Sequence, residues 1–392
     1  MTAFLLRLKR FCGFIVGIVF FMSGIVKLMD PVGAGLVMDE YYSFMHLDFM
    51  SFSSKVMGTF FALAETLIGA ALVTGVWKSI IAKVAVGLQG FFTLLTLILV
   101  IFNPEMDCGC FGEAIHLTHM QTFLKNLVLL ALLLAYMLPL KHLMIDTKKR
   151  KYVVFYLVGI STLAFTIYSW IYIPMVDFTA YKPGAELAAG AEIDPDEVYE
   201  SVFTYEKNGI KETFTRENLP DSTWTFVSTE IRTKNDKVKN LVELPIRDSH
   251  TEEDLDTLAT RGKVMIVSIY DTEMDSKEWE ETNEFIQRAA DAGFTSLLLC
   301  ARIENIPDSL KDRAYLSDYK ALISLNRSNG GVTYFNDGVL IRKWARICAP
   351  DQAELDELQK TDTTEVSIAR ESKGSLVFQG FLLYVFAVML LL

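Results

Sequence analysis

The sequence predicts an all-α transmembrane helical bundle joined to an α/β extracytoplasmic domain, and three observations predict it. Residues 1–173 hold five apolar stretches of about 20 residues, the length that crosses a bilayer core. The net charge of −11 is split between +4 on residues 1–176 and −15 on residues 177–392. In the acidic half the apolar pattern shortens to strand-length runs alternating with amphipathic helices. At 392 residues, 51% of them hydrophobic, the chain is too long and too apolar to be one ordinary soluble domain. The acidic half would repel a polyanion, which excludes nucleic acid and leaves the lipid bilayer as the first partner.

The spans fall near 11–29, 57–77, 79–102, 122–140 and 152–173, and an apolar stretch at 375–392 reads as a sixth. The first follows Arg7, Lys9 and Arg10 but has no small-residue cleavage site, so it reads as a retained helix. The loops from Asp30 to Ser54 and from Asn103 to Gln121 carry acids and no Lys or Arg, whereas Lys78, Lys83, Lys141 and residues 148–151 are basic. Positive charge stays in the cytoplasm, so the N-terminus is placed inside and residues 177–373 outside. The expected divisions are a four-helix membrane domain over 1–145, a fifth helix over 146–176, a linker over 177–200, an extracytoplasmic domain over 201–370 and the C-terminal helix over 375–392.

Glu65 stands halfway along the second span, where an ionised carboxylate needs a partner or a proton, and Lys27 of the first span is its expected partner. The competing reading has Lys27 reaching to the outer surface and Glu65 protonated within the packing. Cys108 and Cys110 flank one glycine in an outer loop, where thiols can be oxidised. A Cys-x-Cys ring is small and strained, and strain makes a disulfide a better oxidant. Two other readings stay open: a static bridge that pins the loop, and a metal site of Cys108, Cys110, His116 and His119. His46 and His142 are isolated and carry no pattern.

Ser23-Gly24, Lys27, Asp30-Pro31, the Glu65 span with Gly69 and Gly75, and Cys108-Gly-Cys110-Phe-Gly112 followed by Lys125-Asn126 resemble the DoxX-like and MauE-like membrane proteins. The resemblance covers roughly residues 10–140. It implies a four-helix bundle in the bacterial cytoplasmic membrane, concerned with thiol or quinone redox chemistry and the maturation of periplasmic proteins. Quinone is the only cofactor it implies; none is evident from the residues themselves. Val176 to Gly184 resembles the extended, Bacteroidetes-type members, which carry a further outer domain.

In the outer domain, residues 201–206 and 210–214 read as a hairpin turning at Asn208-Gly209, and Thr223 to Val227 as another strand. Val264–Tyr270, a helix over 276–292 and Thr295–Cys300 form a βαβ unit. A helix over 318–327, a hairpin of 331–335 with 339–344 and a helix near 352–360 follow. A βαβ unit followed by ββα resembles the thioredoxin-like order over about 240–362. The Cys-x-x-Cys of that family is missing between the first strand and its helix, and Gly330-Gly331 stand where a proline is expected. Cys300 reads as packing, and Cys348 has no nearby partner in sequence.

These features lead to a thiol-disulfide oxidoreductase-like membrane protein, with Cys108 and Cys110 as the exchanging pair, Lys27 and Glu65 handling protons, and the outer domain positioning a protein client. A non-catalytic scaffold with a static Cys108-Cys110 bridge is the alternative. A small-solute transporter ranks below both, because no repeat of broken helices is visible.

Overall fold

The structure, a computed structural model, describes residues 3–138, 147–190, 199–361 and 377–387, apart from 105, 116, 208–209, 216–217, 222, 234–240, 250, 252, 378 and 385–386. The chain forms two compact units, one of residues 1–178 with 369–392 and one of residues 179–368.

The first unit is a helical bundle. Among the described residues, five helices are long and apolar enough to cross a membrane: α1 (Ala3–Met29), α3 (Ser54–Thr74), α4 (Lys78–Phe102), α5 (His119–Met137) and α6 (Lys149–Ile171). The segment expected as a loop after Asp30 is instead largely a helix, α2 (Pro31–Phe44). At 14 residues it is too short to register as a span, yet its start is well specified. The Asp30 carboxylate accepts the Gly33 N–H at 2.9 Å, and Pro31 supplies a preset φ with no N–H to satisfy.

Helices α1 and α3 approach backbone to backbone. A Cβ on Gly24 would overlap the Thr66 hydroxyl, and one on Gly69 would lie 2.6 Å from the Gly17 carbonyl oxygen. Small residues at such contacts replace the hydrophobic drive that helices lack within lipid. Phe21, Ile25 and Leu28 of α1 then pack against Ala62 and Ala70 of α3. Gly24→Ala is expected to lower the stability of this unit by about 1–3 kcal/mol, the usual cost of overpacking, as read by unfolding in mixed micelles. Residues 379–384 are helical and Phe381 stacks on Phe165 of α6 at 4.6 Å; most of the expected span 375–392 lies outside the described residues.

The second unit is sheet-rich. Strand β8 (Lys263–Ile269), helix α7 (Ser276–Asp291) and β9 (Thr295–Cys300) make the parallel βαβ unit. The hairpin β11 (Gly331–Asn336) and β12 (Val339–Trp344) adds antiparallel to β8 through β11. Four short strands extend this sheet: β2 (Glu186–Leu187) with β6 (Leu241–Val242) beyond β12, and β10 (Ala314–Leu316) with β7 (Arg247–Asp248) beyond β9. The full order is β6-β2-β12-β11-β8-β9-β10-β7. Helix α8 (Asp308–Lys311) precedes β10, α9 (Tyr319–Leu325) precedes β11, and α10 (Gln352–Lys360) follows β12.

Two expectations change here. Residues 179–190, placed in the linker, are part of the unit: β2 pairs with β12 and β6, and Tyr181, Ala185 and Leu187 are buried in its core. One buried apolar residue every few positions gives no period to read. The βαβ unit also continues into β10, parallel to β9, which at three residues carries no strand signature. Gly330 has φ +72° and donates its N–H to the Ser268 carbonyl at 2.8 Å, neither of which a proline can do. Cys300 is buried in the core, where desolvation pushes its thiol up to about 12, and Cys348 is exposed.

A separate antiparallel sheet is ordered β4-β3-β5, from β3 (Tyr199–Lys207), β4 (Ile210–Thr215) and β5 (Thr225–Thr233). Lys207 pairs with Ile210, the register of a two-residue turn, although Asn208 and Gly209 themselves lie outside the described residues.

Candidate functional site

The α1–α3 contact sets up a polar cluster. Lys27 Nζ lies 2.9 and 3.0 Å from the two oxygens of Glu65, whose side chain is only 4% exposed. Ser23, one turn earlier on α1, places its hydroxyl 2.8 Å from Glu65 Oε2 and 2.6 Å from the Cys110 carbonyl oxygen. A hydroxyl has one proton to give. Ser23 therefore bonds both neighbours at once only when Glu65 carries a proton and donates to it. Ionised Glu65 instead competes with the Cys110 peptide for that proton, so the charge of the buried carboxyl and the anchoring of the cysteine loop are coupled.

Helices α4 and α5 close the opposite side. Gln89 donates to the Asn126 carbonyl at 3.0 Å, and Asn126 donates to Thr96 Oγ1 at 3.3 Å. Buried amides of this kind are retained only where every partner is in place.

The loop from α4 to α5 carries both cysteines. Thr118 caps α5 in a reciprocal box with Gln121, which fixes the first turn and hence His119. His119 Nε2 is 3.0 Å from the Pro104 carbonyl oxygen, which can only accept, so this nitrogen holds the proton. In a neutral ring Nδ1 then carries the lone pair, and it lies 2.9 Å from Cys108 Sγ. Tyr41 of α2 donates to the Cys108 carbonyl at 3.0 Å. Cys108 is buried and Cys110, which opens the short strand β1 (Cys110–Glu113), is half-buried; both are free thiols. Burial, helped by Cys110 and Asp107, pushes the Cys108 thiol up, while Thr122 and Lys125 oppose this.

Between them stands Gly109, with φ +58°. A Cβ there would collide with Val37 Cγ1 of α2, so both the backbone and the packing demand glycine. Gly109→Ala is expected to cost about 2–4 kcal/mol, the sum of overpacking and left-handed strain, measured by thermal unfolding in detergent.

Ser23, Tyr41 and the Cys108–Cys110 segment border a cavity of about 150 Å³. Phe61, Phe92, Leu95 and Leu129 form apolar walls, Lys27, Glu65, Gln89 and Asn126 supply polar atoms, and Cys108 and Cys110 lie at the loop end. Thus Lys27, Glu65, Cys108 and Cys110 share a site. His116 lies outside the described residues; His119 meets Cys108 but spends its other nitrogen on Pro104. Sequence reasoning gave no role to Ser23, Tyr41, Gln89 or Asn126. In the sequence Ser23 and Asn126 stand only within the resemblance motif, and Tyr41 falls in a segment that reads as a loop.

Residues 3–139 match the family model for Methylamine utilisation protein MauE. The N-terminal unit is MauE-like. All the site residues named above fall within this MauE-like stretch, and with the five apolar helices it makes the chain a multi-pass membrane protein. Residues 199–235 match a domain of unknown function (DUF8463), a range that covers the β4-β3-β5 sheet. No curated protein and no solved structure matches the chain.

Proposed function

We propose that this MauE-like protein oxidises thiols of an extracytoplasmic client and passes the electrons to a quinone of the bilayer. The observation that carries this reading is that one cavity is lined both by the cysteine pair and by the Lys27–Glu65 pair. A client dithiol gives two electrons and two protons to the Cys108-Cys110 bridge, and the client's S–S bond forms as the bridge breaks. Re-forming the bridge releases the same two electrons and two protons, which a quinone of the bilayer would accept.

The cavity fits this acceptor in size and lining. Cavities of about 150 Å³ with apolar walls accept a single six-membered ring. Lys27 and Gln89 would hold a ring carbonyl, and Glu65 with Ser23 would carry its protons. A quinone supplies two-electron acceptance from within the lipid, and the chain's own residues hold the ring and carry its protons.

In the same reading the second unit is a thioredoxin-like client-binding domain without its own dithiol. The β12-β11-β8-β9 order, with β8 and β9 parallel and β11 antiparallel, supports that, as does the absence of cysteine between β8 and α7. The cysteine loop and this domain would face the periplasm, following the placement of basic residues, and the stacking of Phe381 on Phe165 supports a sixth helix.

The test is the midpoint potential of the pair, from alkylation of membranes equilibrated in defined thiol buffers and read by mass shift. A reversible bridge at about −120 to −270 mV, the range of known exchange proteins, is expected. Addition of a short-chain quinone should then re-form the bridge in reduced protein. A pair that stays bridged under strong reductant, or never bridges, would transfer the conclusion to a static scaffold.

A further inference from the structure

The two cysteines are unequal in their surroundings. Cys108 is 6% exposed and touches the first turn of α5 at two points, while Cys110 is more open. One point is His119 Nδ1, a lone pair aimed at the sulfur because Pro104 holds the other ring nitrogen's proton. The other is Thr122, whose buried hydroxyl has no nitrogen or oxygen partner among the described residues. A neutral thiol leaves that hydroxyl poorly satisfied. A thiolate would accept its proton and would lie at the positive end of a 19-residue helix.

We infer that Cys108 and His119 form a thiol–base pair, with His119 Nδ1 taking the Cys108 proton, and that Cys110 is the sulfur that meets the client. The inference deepens the redox reading and rests on it for its purpose, but its geometry is independent of any client or quinone. In the oxidised protein a client thiolate attacks Cys110 Sγ, the Cys108-Cys110 bond breaks, and Cys108 leaves as thiolate beside Thr122. The client's second thiol then attacks the client sulfur of the mixed disulfide and frees Cys110. Two electrons and two protons have then passed to the pair, with His119 exchanging the Cys108 proton.

The groups facing Cys108 are Asp107 and Cys110 on its own loop, Tyr41 from α2, and His119, Thr122 and Lys125 from α5. Of these, His119 is the group placed to accept a proton directly from the sulfur.

The experiment uses full-length protein in lipid nanodiscs, carrying Cys110→Ser so that no bridge forms. N-ethylmaleimide, small enough to enter the cavity, is applied from pH 5 to 9, and modification of each cysteine is followed by peptide mass spectrometry. Exposed Cys348 is the reference in the same sample. Burial works against loss of the Cys108 proton and His119 works for it, so the rate midpoint of Cys108 is read against that of Cys348 in every variant. His119→Gln should raise it by at least one unit, a roughly ten-fold slower reaction at pH 7, with Cys348 unchanged. Thr122→Val leaves His119 and its Pro104 bond in place and should move Cys108 in the same direction, which covers a failure of His119→Gln to fold. A Cys108 profile unmoved by these variants overturns the pair, as does a Cys108 that does not react across the range. Neither result touches the midpoint potential, so a failed base and a failed redox reading are told apart.

Discussion

Lys27→Met is expected to destabilise the membrane unit by about 3–5 kcal/mol, the cost of leaving one member of a buried ion pair uncompensated. Glu65 has its two oxygens within 3.0 Å of the ammonium and is almost wholly enclosed. Without Lys27 it must ionise unpaired or take up a proton. The double variant Lys27→Met with Glu65→Leu should recover most of the loss, because an apolar pair of similar volume carries no desolvation penalty. Unfolding in mixed micelles measures all three variants. Equal losses for the single and double variants would show that the two charges do not act as a unit. The double variant should also be stable yet inactive toward a quinone, which separates the pair's part in folding from its part in proton handling.

The second large effect concerns the cysteines. Cys108→Ser and Cys110→Ser should each abolish turnover of a reduced model dithiol peptide with a short-chain quinone, a fall of more than about 10³-fold, since neither variant can form a bridge. They should differ in what they capture. A peptide carrying an activated disulfide is too bulky for the cavity, so peptide mass spectrometry should show Cys110 of Cys108→Ser labelled at least ten-fold faster than Cys108 of Cys110→Ser, with exposed Cys348 labelled alike in both. Equal labelling would mean that the burial of Cys108 does not direct the client.

Much of this arrangement is readable from sequence because the bilayer is a simple solvent: 20 apolar residues in a row announce a helix, and a carboxylate such as Glu65 among them announces a need. Helix α2 escapes that logic. It lies beside the spans, is interrupted by Gly33 and Gly35, and is signalled only by Asp30-Pro31. The role of His119 is invisible because it depends on which ring nitrogen is protonated, and that is decided by a carbonyl 15 residues away at Pro104. The only local hint is the Thr118-x-x-Gln121 cap that places His119 in a first turn. In the second unit, the βαβ and hairpin strands are long and strongly apolar and so stand out. Strands β2 and β6, two residues each, are made strands by their neighbours rather than by their own composition.

The glycine contact between α1 and α3 has a consequence for charge transfer. With Gly17, Gly24 and Gly69 leaving no side-chain layer between the two backbones, neither helix can slide or rotate to follow a change of charge at Lys27 or Glu65. The surrounding dipoles are set when the helices associate, and under the proposed redox reading a proton moving at the site would meet a preorganised environment. A rigid seam of this kind favours speed over adaptability: it suits a carrier that cycles between two states many times, at the expense of tolerance for substitutions along the seam.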